Sequence, residues 1–132
     1  MLLYLVVFIG AGIGGALRHG VNGLALRLAG PDFPYGTMAI NIAGSLLMGL
    51  IAGYFAFRGG TGFFGQMGQH WKLFLTTGVL GGFTTFSAFS LDFATLWERG
   101  ATAGAAVYLA VSVGGSIAAI FVALAVARAV FA

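Results

Sequence analysis

Asn41 lies midway between Thr37 and Ser45 at intervals of four residues, so a helix through them stacks one amide and two hydroxyls along a single face. Tyr108, Ser112 and Ser116 repeat the device late in the chain. Such stripes offer hydrogen bonds to a small ion or substrate stripped of its water. For any one serine in an apolar helix, a bond back to its own backbone is the commoner outcome. The amide of Asn41 is different, because two N–H donors and a carbonyl cannot all be satisfied inside one helix. At mid-membrane it must bond a neighbouring helix or a species passing between helices.

A second cluster is Gly81-Gly82-Phe83-Thr84-Thr85-Phe86-Ser87-Ala88-Phe89-Ser90, where paired glycines, adjacent hydroxyls and spaced phenylalanines interrupt an apolar stretch. It reads as a membrane helix broken over 81–85. Broken backbone at membrane depth is tolerated only where protein or a water-filled cavity satisfies the freed peptide groups, so the interruption points to an ion or substrate site. Phe83, Phe86, Phe89 and Phe93 recur at spacings of three and four on one side. A stripe of this kind usually meets lipid or packs a core. Beside donors and a helix break, its electropositive ring edges can instead face an anion.

The elements that position these groups follow from composition. The chain of 132 residues is 60% hydrophobic and 7% charged, against about 25% charged in a soluble domain. A spanning helix needs about 20 mostly apolar residues. Four such stretches fit one all-α membrane domain covering 1–132, with helices over 2–28, 35–57, 71–97 (broken within) and 101–130. Gly30-Pro31-Asp32-Phe33-Pro34 closes the first and Glu98-Arg99-Gly100 the third. Residues 58–70 read as a polar, mobile linker in the interface. Met1-Leu2-Leu3-Tyr4 lacks the basic leader and cleavage pattern of a secretory signal, so the first helix is expected to be kept as an anchor.

Four spans put both termini on one side, with Arg58, Lys72 and Arg128, and leave Arg27 and Arg99 opposite. Orientation follows such asymmetry in short loops. Three cations against two permit insertion both ways, which predicts dual topology and an antiparallel homodimer; the alternative is a weakly biased protein oriented by other factors. The net charge of +3 would suggest nucleic acid in a soluble protein. Here the few cations sit mostly at helix ends and suit lipid headgroups, and no nucleic acid is expected.

The remaining candidates are weaker. Gly10, Gly12 and Gly15 imitate a dinucleotide fingerprint, with Asp32 where a ribose-binding acid would be sought. Asp32 lies in a turn between prolines, and no second strand follows. Gly60, Gly62 and Gly65 imitate it less well. Small residues at Gly10, Gly14, Gly44, Gly49 and Gly53 are better read as letting helices approach closely. Arg18, well inside the first helix, is either functional, a snorkelling anchor, or a partner of helix-break carbonyls. His19 reads as interfacial and His70 as a linker histidine. Asp92 fits a pore mouth or a polar contact between helices equally. With no cysteine and two histidines, neither a disulfide nor a closed zinc site can form. No nucleophile, base and orienting group share a plausible spacing, so no enzyme is expected.

Gly36-Thr37-Met38-Ala39-Ile40-Asn41 with Gly44-Ser45, and Gly78 with the segment 81–90, resemble the Fluc (CrcB) family of fluoride channels. The likeness covers nearly the whole chain; Gly14-Gly15-Ala16-Leu17-Arg18 and the Tyr108, Ser112, Ser116 stripe agree with it. The resemblance implies a passive fluoride-selective channel in the cytoplasmic (inner) membrane of a prokaryote, exporting fluoride and conferring resistance. It implies an antiparallel homodimer with two pores, each lined by both subunits. By position, Asn41, Phe86 and Phe89 would line the fluoride path, with hydroxyls from Ser112, Tyr108, Thr37 and Ser116. Backbone carbonyls of Gly81 and Thr84, two from each subunit, would hold a structural sodium ion on the two-fold axis. Where family members often carry Glu, this chain has Asp92, a shorter acid at the vestibule.

Two other classes compete. A dual-topology, proton-coupled multidrug exporter needs a membrane-embedded carboxylate, and of Asp32, Asp92 and Glu98 only Asp92 lies within a span. A non-transporting assembly subunit would need only small-residue packing and leaves Asn41 and the hydroxyl stripes unexplained.

Overall fold

In a bilayer a backbone must satisfy its own polar groups, and long apolar runs therefore fold as helices. The structure, a computed structural model, describes residues 1–59 and 65–132. Among the described residues four helical spans are long and apolar enough to cross a membrane, Leu2–Ala29, Tyr35–Arg58, Gly68–Glu98 and Thr102–Phe131. The first is α1 (Leu2–Ala29) and the second α2 (Tyr35–Arg58). The third is composite: α3 (Gly68–Leu73), a π-helical segment (Phe74–Leu80), α4 (Gly81–Phe83) and, after a break, α5 (Phe86–Glu98). The last is α6 (Thr102–Phe131).

Glycine ends α1 and α5 where the backbone turns left-handed, at Gly30 and Gly100, both with φ 77°. After α5 the Gly100 N–H donates to Trp97 O at 3.0 Å and the Ala101 N–H to Leu96 O at 2.9 Å. This paired capping reverses the chain within three residues. On the same side, Arg99 Nη2 donates to the Asp32 carbonyl at 2.7 Å, tying the two short connections together. At the opposite end Arg58 Nε donates to Phe131 O at 3.0 Å. The C-terminal ends of α2 and α6 thus lie together, as four alternating spans require.

Lipid tails are as apolar as leucine, so helices associate here by close packing rather than by hydrophobic burial. α1 lies against the π-helical segment and α4, backbone to backbone. A Cβ on Gly10 would meet Phe74 O at 2.7 Å and Gly78 Cα at 2.9 Å, and one on Gly14 would strike Val79 O and Phe83 N. α2 lies along α6 in the same way, Gly49 facing Ala123 and Gly53 facing Ala127. Gly44 receives the Thr84 methyl. All five glycines expected to permit close approach do so. Where α5 meets α6, Phe89, Leu96, Ala105 and Tyr108 form a buried cluster edged by Phe33, Met38, Phe93 and Ala101.

Two expectations are corrected. Residues 65–70 are not loop: Gly65–Met67 is a 3-10 turn and Gly68 opens the third span, three residues before Trp71. Arg58 still belongs to α2 with Gly59 capping it, and the rest of that linker, 60–64, lies outside the described residues. The break is also narrower than 81–85, because Gly81 is helical (φ −63°, ψ −38°) and only Thr84 and Thr85 are extended.

Candidate functional site

Thr84 (φ −78°, ψ 156°) and Thr85 (φ −156°, ψ 121°) interrupt the third span against α2. All of their polar groups except the Thr84 carbonyl have partners near the break. The Thr84 N–H and hydroxyl both donate to Leu80 O at 2.9 Å. Thr85 caps α5, its Oγ1 accepting from the Ala88 N–H at 3.2 Å and lying 3.2 Å from Ser87 Oγ. Asn41 grips the peptide groups of Thr85 from α2: Nδ2 donates to Thr85 O at 3.0 Å, and Oδ1 accepts the Thr85 N–H at 2.9 Å. One turn along α2, Gly44 leaves the space into which the Thr84 methyl fits. The break is therefore a docked feature, held by a side chain on another span.

A second consequence concerns two carbonyls. In an uninterrupted helix the N–H of residue 85 would close on Gly81 O and that of residue 88 on Thr84 O. Here the first goes to Asn41 and the second to Thr85 Oγ1. The carbonyls of Gly81 and Thr84 are left without those donors, and Gly81 lies at the surface of the single chain.

Beside the break opens a cleft of about 400 Å³, walled by α2, α5 and α6. Asn41, Ser45, Phe86, Phe89, Ser112 and Ser116 line it, with Gly44, Met48, Thr84, Thr85 and the apolar faces of Val113, Ile117 and Ile120. The Oγ atoms of Ser112 and Ser116 are buried and have no hydrogen-bond partner among the described residues. A buried hydroxyl without a partner costs about 1–3 kcal/mol, and two such donors stand on one wall, where a ligand could supply the missing acceptor. Asn41 spends one Nδ2 hydrogen on Thr85 and keeps the other. The Phe86 and Phe89 rings lie 5.4 Å apart at 44°; Phe89 is 7% exposed, Phe86 76%.

Of the residues singled out from the sequence, Asn41, Phe86, Phe89, Ser112 and Ser116 converge on this cleft, as does Ser45. Thr37 and Tyr108 do not line it. Both are buried, and the Tyr108 ring stacks beyond Phe89 with centroids 5.2 Å apart. The Tyr108 hydroxyl donates to Asp92 Oδ2 at 3.0 Å, which makes Asp92 a polar contact between α5 and α6. Phe83 lies across the break on α4, so the expected row of four phenylalanines is divided, and Phe93 packs on the Tyr108 cluster. Arg18 is half-buried on α1, away from the cleft lining. Gly12 and Gly15 sit in open space within an unbroken helix, so the dinucleotide-like glycines form no phosphate loop. His70 Nδ1 is buried without a partner among the described residues.

Two features escaped the sequence reading. Thr85, whose peptide groups and hydroxyl organise the break, was one hydroxyl among several. The π-helical segment leading into it carries no sequence signal beyond its Thr and Gly content, although such segments cluster at functional sites.

The chain matches the family described as CrcB-like protein, Camphor Resistance (CrcB), over residues 5–124. It is 62% identical over 128 residues to a protein of Methylobacterium nodulans (strain LMG 21967 / CNCM I-2342 / ORS 2060) named Fluoride-specific ion channel FluC, covering 97% of this chain and 98% of that one. Proteins of the same name from Rhodopseudomonas palustris (strain BisB5) and Mesorhizobium japonicum (strain LMG 29417 / CECT 9101 / MAFF 303099) are 54% and 55% identical. They cover 98% and 97% of the chain and 99% and 98% of their own lengths. With four membrane-length helices, a third span broken at Thr84 and Thr85, and relatives matched almost end to end, the chain belongs to the CrcB (Fluc) family.

Proposed function

We propose that the chain is a subunit of a passive, fluoride-selective channel that lets fluoride leave the cytoplasm of a prokaryote across its inner membrane and so confers fluoride resistance. The observation that carries this reading is the cleft, where two buried hydroxyls without a partner among the described residues, a spare amide hydrogen and the Phe86 and Phe89 rings stand on a largely apolar lining. Fluoride is small and strongly hydrated. It gives up water only where donors are fixed in its path, and Ser112, Ser116 and Asn41 are such donors. Ring edges of Phe86 and Phe89 add positive rims without covalent or acidic chemistry. A larger halide fits the same spacing less well and accepts weaker hydrogen bonds. The relatives' name, Fluoride-specific ion channel FluC, supports the choice of anion.

The functional unit is an antiparallel homodimer with two pores, each completed by the second copy. Supporting this are the exposure of Phe86, whose ring is 76% open in the single chain although it edges the cleft, and the near-even division of cations between the two sides. The carbonyls of Gly81 and Thr84 fit a small hard cation, since both lack their helical donors and oxygen dipoles are its preferred ligands. A sodium ion bound there, shared with the second copy, would supply fixed positive charge that favours a neighbouring anion. Thr37 and Tyr108 then extend the polar track past Phe89, with Asp92 orienting the Tyr108 hydroxyl. Arg18 serves as an anchor in α1. Asp92 is engaged by Tyr108, which disfavours the proton-coupled exporter.

Fluoride efflux from liposomes carrying the purified protein tests this reading. Rapid efflux, with chloride retained and protein-free vesicles silent, is the expected result; folded dimer that releases neither ion would refute it.

A further inference from the structure

We infer that Asn41 is a positioning residue for the break in the third span, and that through it the permeation cleft is energetically linked to the carbonyls of Gly81 and Thr84. The inference rests on the reading above in taking those carbonyls for a cation site. Hydrogen-bond accounting carries it. Thr85 has one N–H, and Asn41 Oδ1 holds it at 2.9 Å. Without that acceptor, the same N–H is available to Gly81 O, the bond that heals the helix and occupies a cation ligand. Asn41 Nδ2 holds Thr85 O at 3.0 Å as well, so the peptide groups flanking the break are fixed by one amide. The Thr84 methyl lodged against Gly44 keeps the segment in register with that amide.

Asn41 also lines the cleft, and its amide keeps one hydrogen that is not spent on Thr85. An anion that engages Asn41 therefore acts on the residue that keeps Gly81 O free. Coupling of this kind is reciprocal: a cation on the carbonyls holds Thr85 extended and Asn41 in place, and an anion in the cleft changes the cation's affinity by the same factor. Ser112 and Ser116 lie on α6 and have no bond to the break. They contribute to the cleft without contributing to the link, which gives the control.

The test is thermal unfolding of the full-length protein in detergent against sodium concentration, with N-methylglucamine replacing sodium at constant ionic strength. Wild type should be stabilised saturably. Asn41→Ala should need about tenfold more sodium for half the effect, since a helical hydrogen bond must be broken in each subunit, while Ser112→Ala should keep the wild-type midpoint. Should Asn41→Ala not fold, Asn41→Ser makes the same comparison. In wild type, saturating fluoride should shift the sodium midpoint and chloride should not. An unshifted midpoint in the Asn41 variant, an equal shift in Ser112→Ala, or indifference of the wild-type midpoint to fluoride would each overturn the link. Wild-type stability that ignores sodium while fluoride efflux persists removes the cation site and the inference with it, leaving the channel intact; sodium-dependent stability without efflux removes the channel reading alone.

Discussion

Asn41 meets two demands at once, one from the backbone of the third span and one from the cleft. Replacing it by aspartate separates them, because an ionised carboxylate still accepts the Thr85 N–H but donates nothing to Thr85 O. It also sets a negative charge beside the proposed anion path. Like charges about 4 Å apart repel by about 4 kcal/mol at an effective dielectric near 20. We expect Asn41→Asp to lower fluoride efflux by at least about two orders of magnitude, and efflux near wild type would take Asn41 out of the path. Phe86→Ile keeps bulk but removes the ring edge. If a ring edge contributes about 1 kcal/mol, efflux falls several-fold, and wild-type flux would end the aromatic-edge mechanism without touching the family assignment. At this scale the sequence showed which side chains could not be inert, Asn41 above all. It could not show that Thr37 and Tyr108 are buried outside the cleft, because the cleft is bounded by three helices whose offsets depend on packing.

Small residues decide the spacing of the helices. A Cβ at Gly14 meets peptide atoms of the third span at Val79 and Phe83, which cannot swing aside as a side chain would. Gly14→Val should therefore destabilise the fold by about 3 kcal/mol or prevent it, read as loss of the monodisperse peak in size-exclusion chromatography after graded heating. Gly12→Ala, with open space around it, should melt at least as high as wild type, since alanine favours helix over glycine. The positions of these contacts were legible in the sequence as small residues on apolar helices. The interruption of the third span was legible too, but its place was not. Gly81 looked like the bend because glycine bends freely, yet the bend is at Thr84 and Thr85, where a side chain 44 positions away supplies the replacement bonds. The π-helical turn is of the same kind, formed where Gly78 meets the backbone of Gly10.

For the molecule as a whole, orientation in the membrane is the property most exposed to test. Cations divide almost evenly between the two sides, and the Arg58–Phe131 and Arg99–Asp32 bonds fix which ends lie together. The chain contains no cysteine, so one introduced at Leu28, exposed beside Arg27, is unique and leaves the charge balance intact. In intact cells a membrane-impermeant maleimide should label part of the Leu28→Cys protein from outside, and lysis should expose a comparable remainder. Labelling confined to one side would show a single orientation and rule out the antiparallel dimer. The proton-coupled alternative is addressed by Asp92→Asn, which should leave fluoride efflux independent of an imposed proton gradient, as in the unmodified protein.

The long pairing of α2 with α6 bears on how the protein is made. Arg58 and Phe131, which bond at one end of that pairing, are 73 positions apart. While a ribosome delivers the chain, the first three spans enter the bilayer before α6 exists, and one wall of the cleft is missing. Contacts between distant parts of a chain form late and leave partners exposed meanwhile. The newborn chain thus holds the face of α2 that carries Gly49 and Gly53 against lipid until α6 arrives, a window in which a membrane chaperone or a quality-control protease can distinguish a finished subunit from an unfinished one.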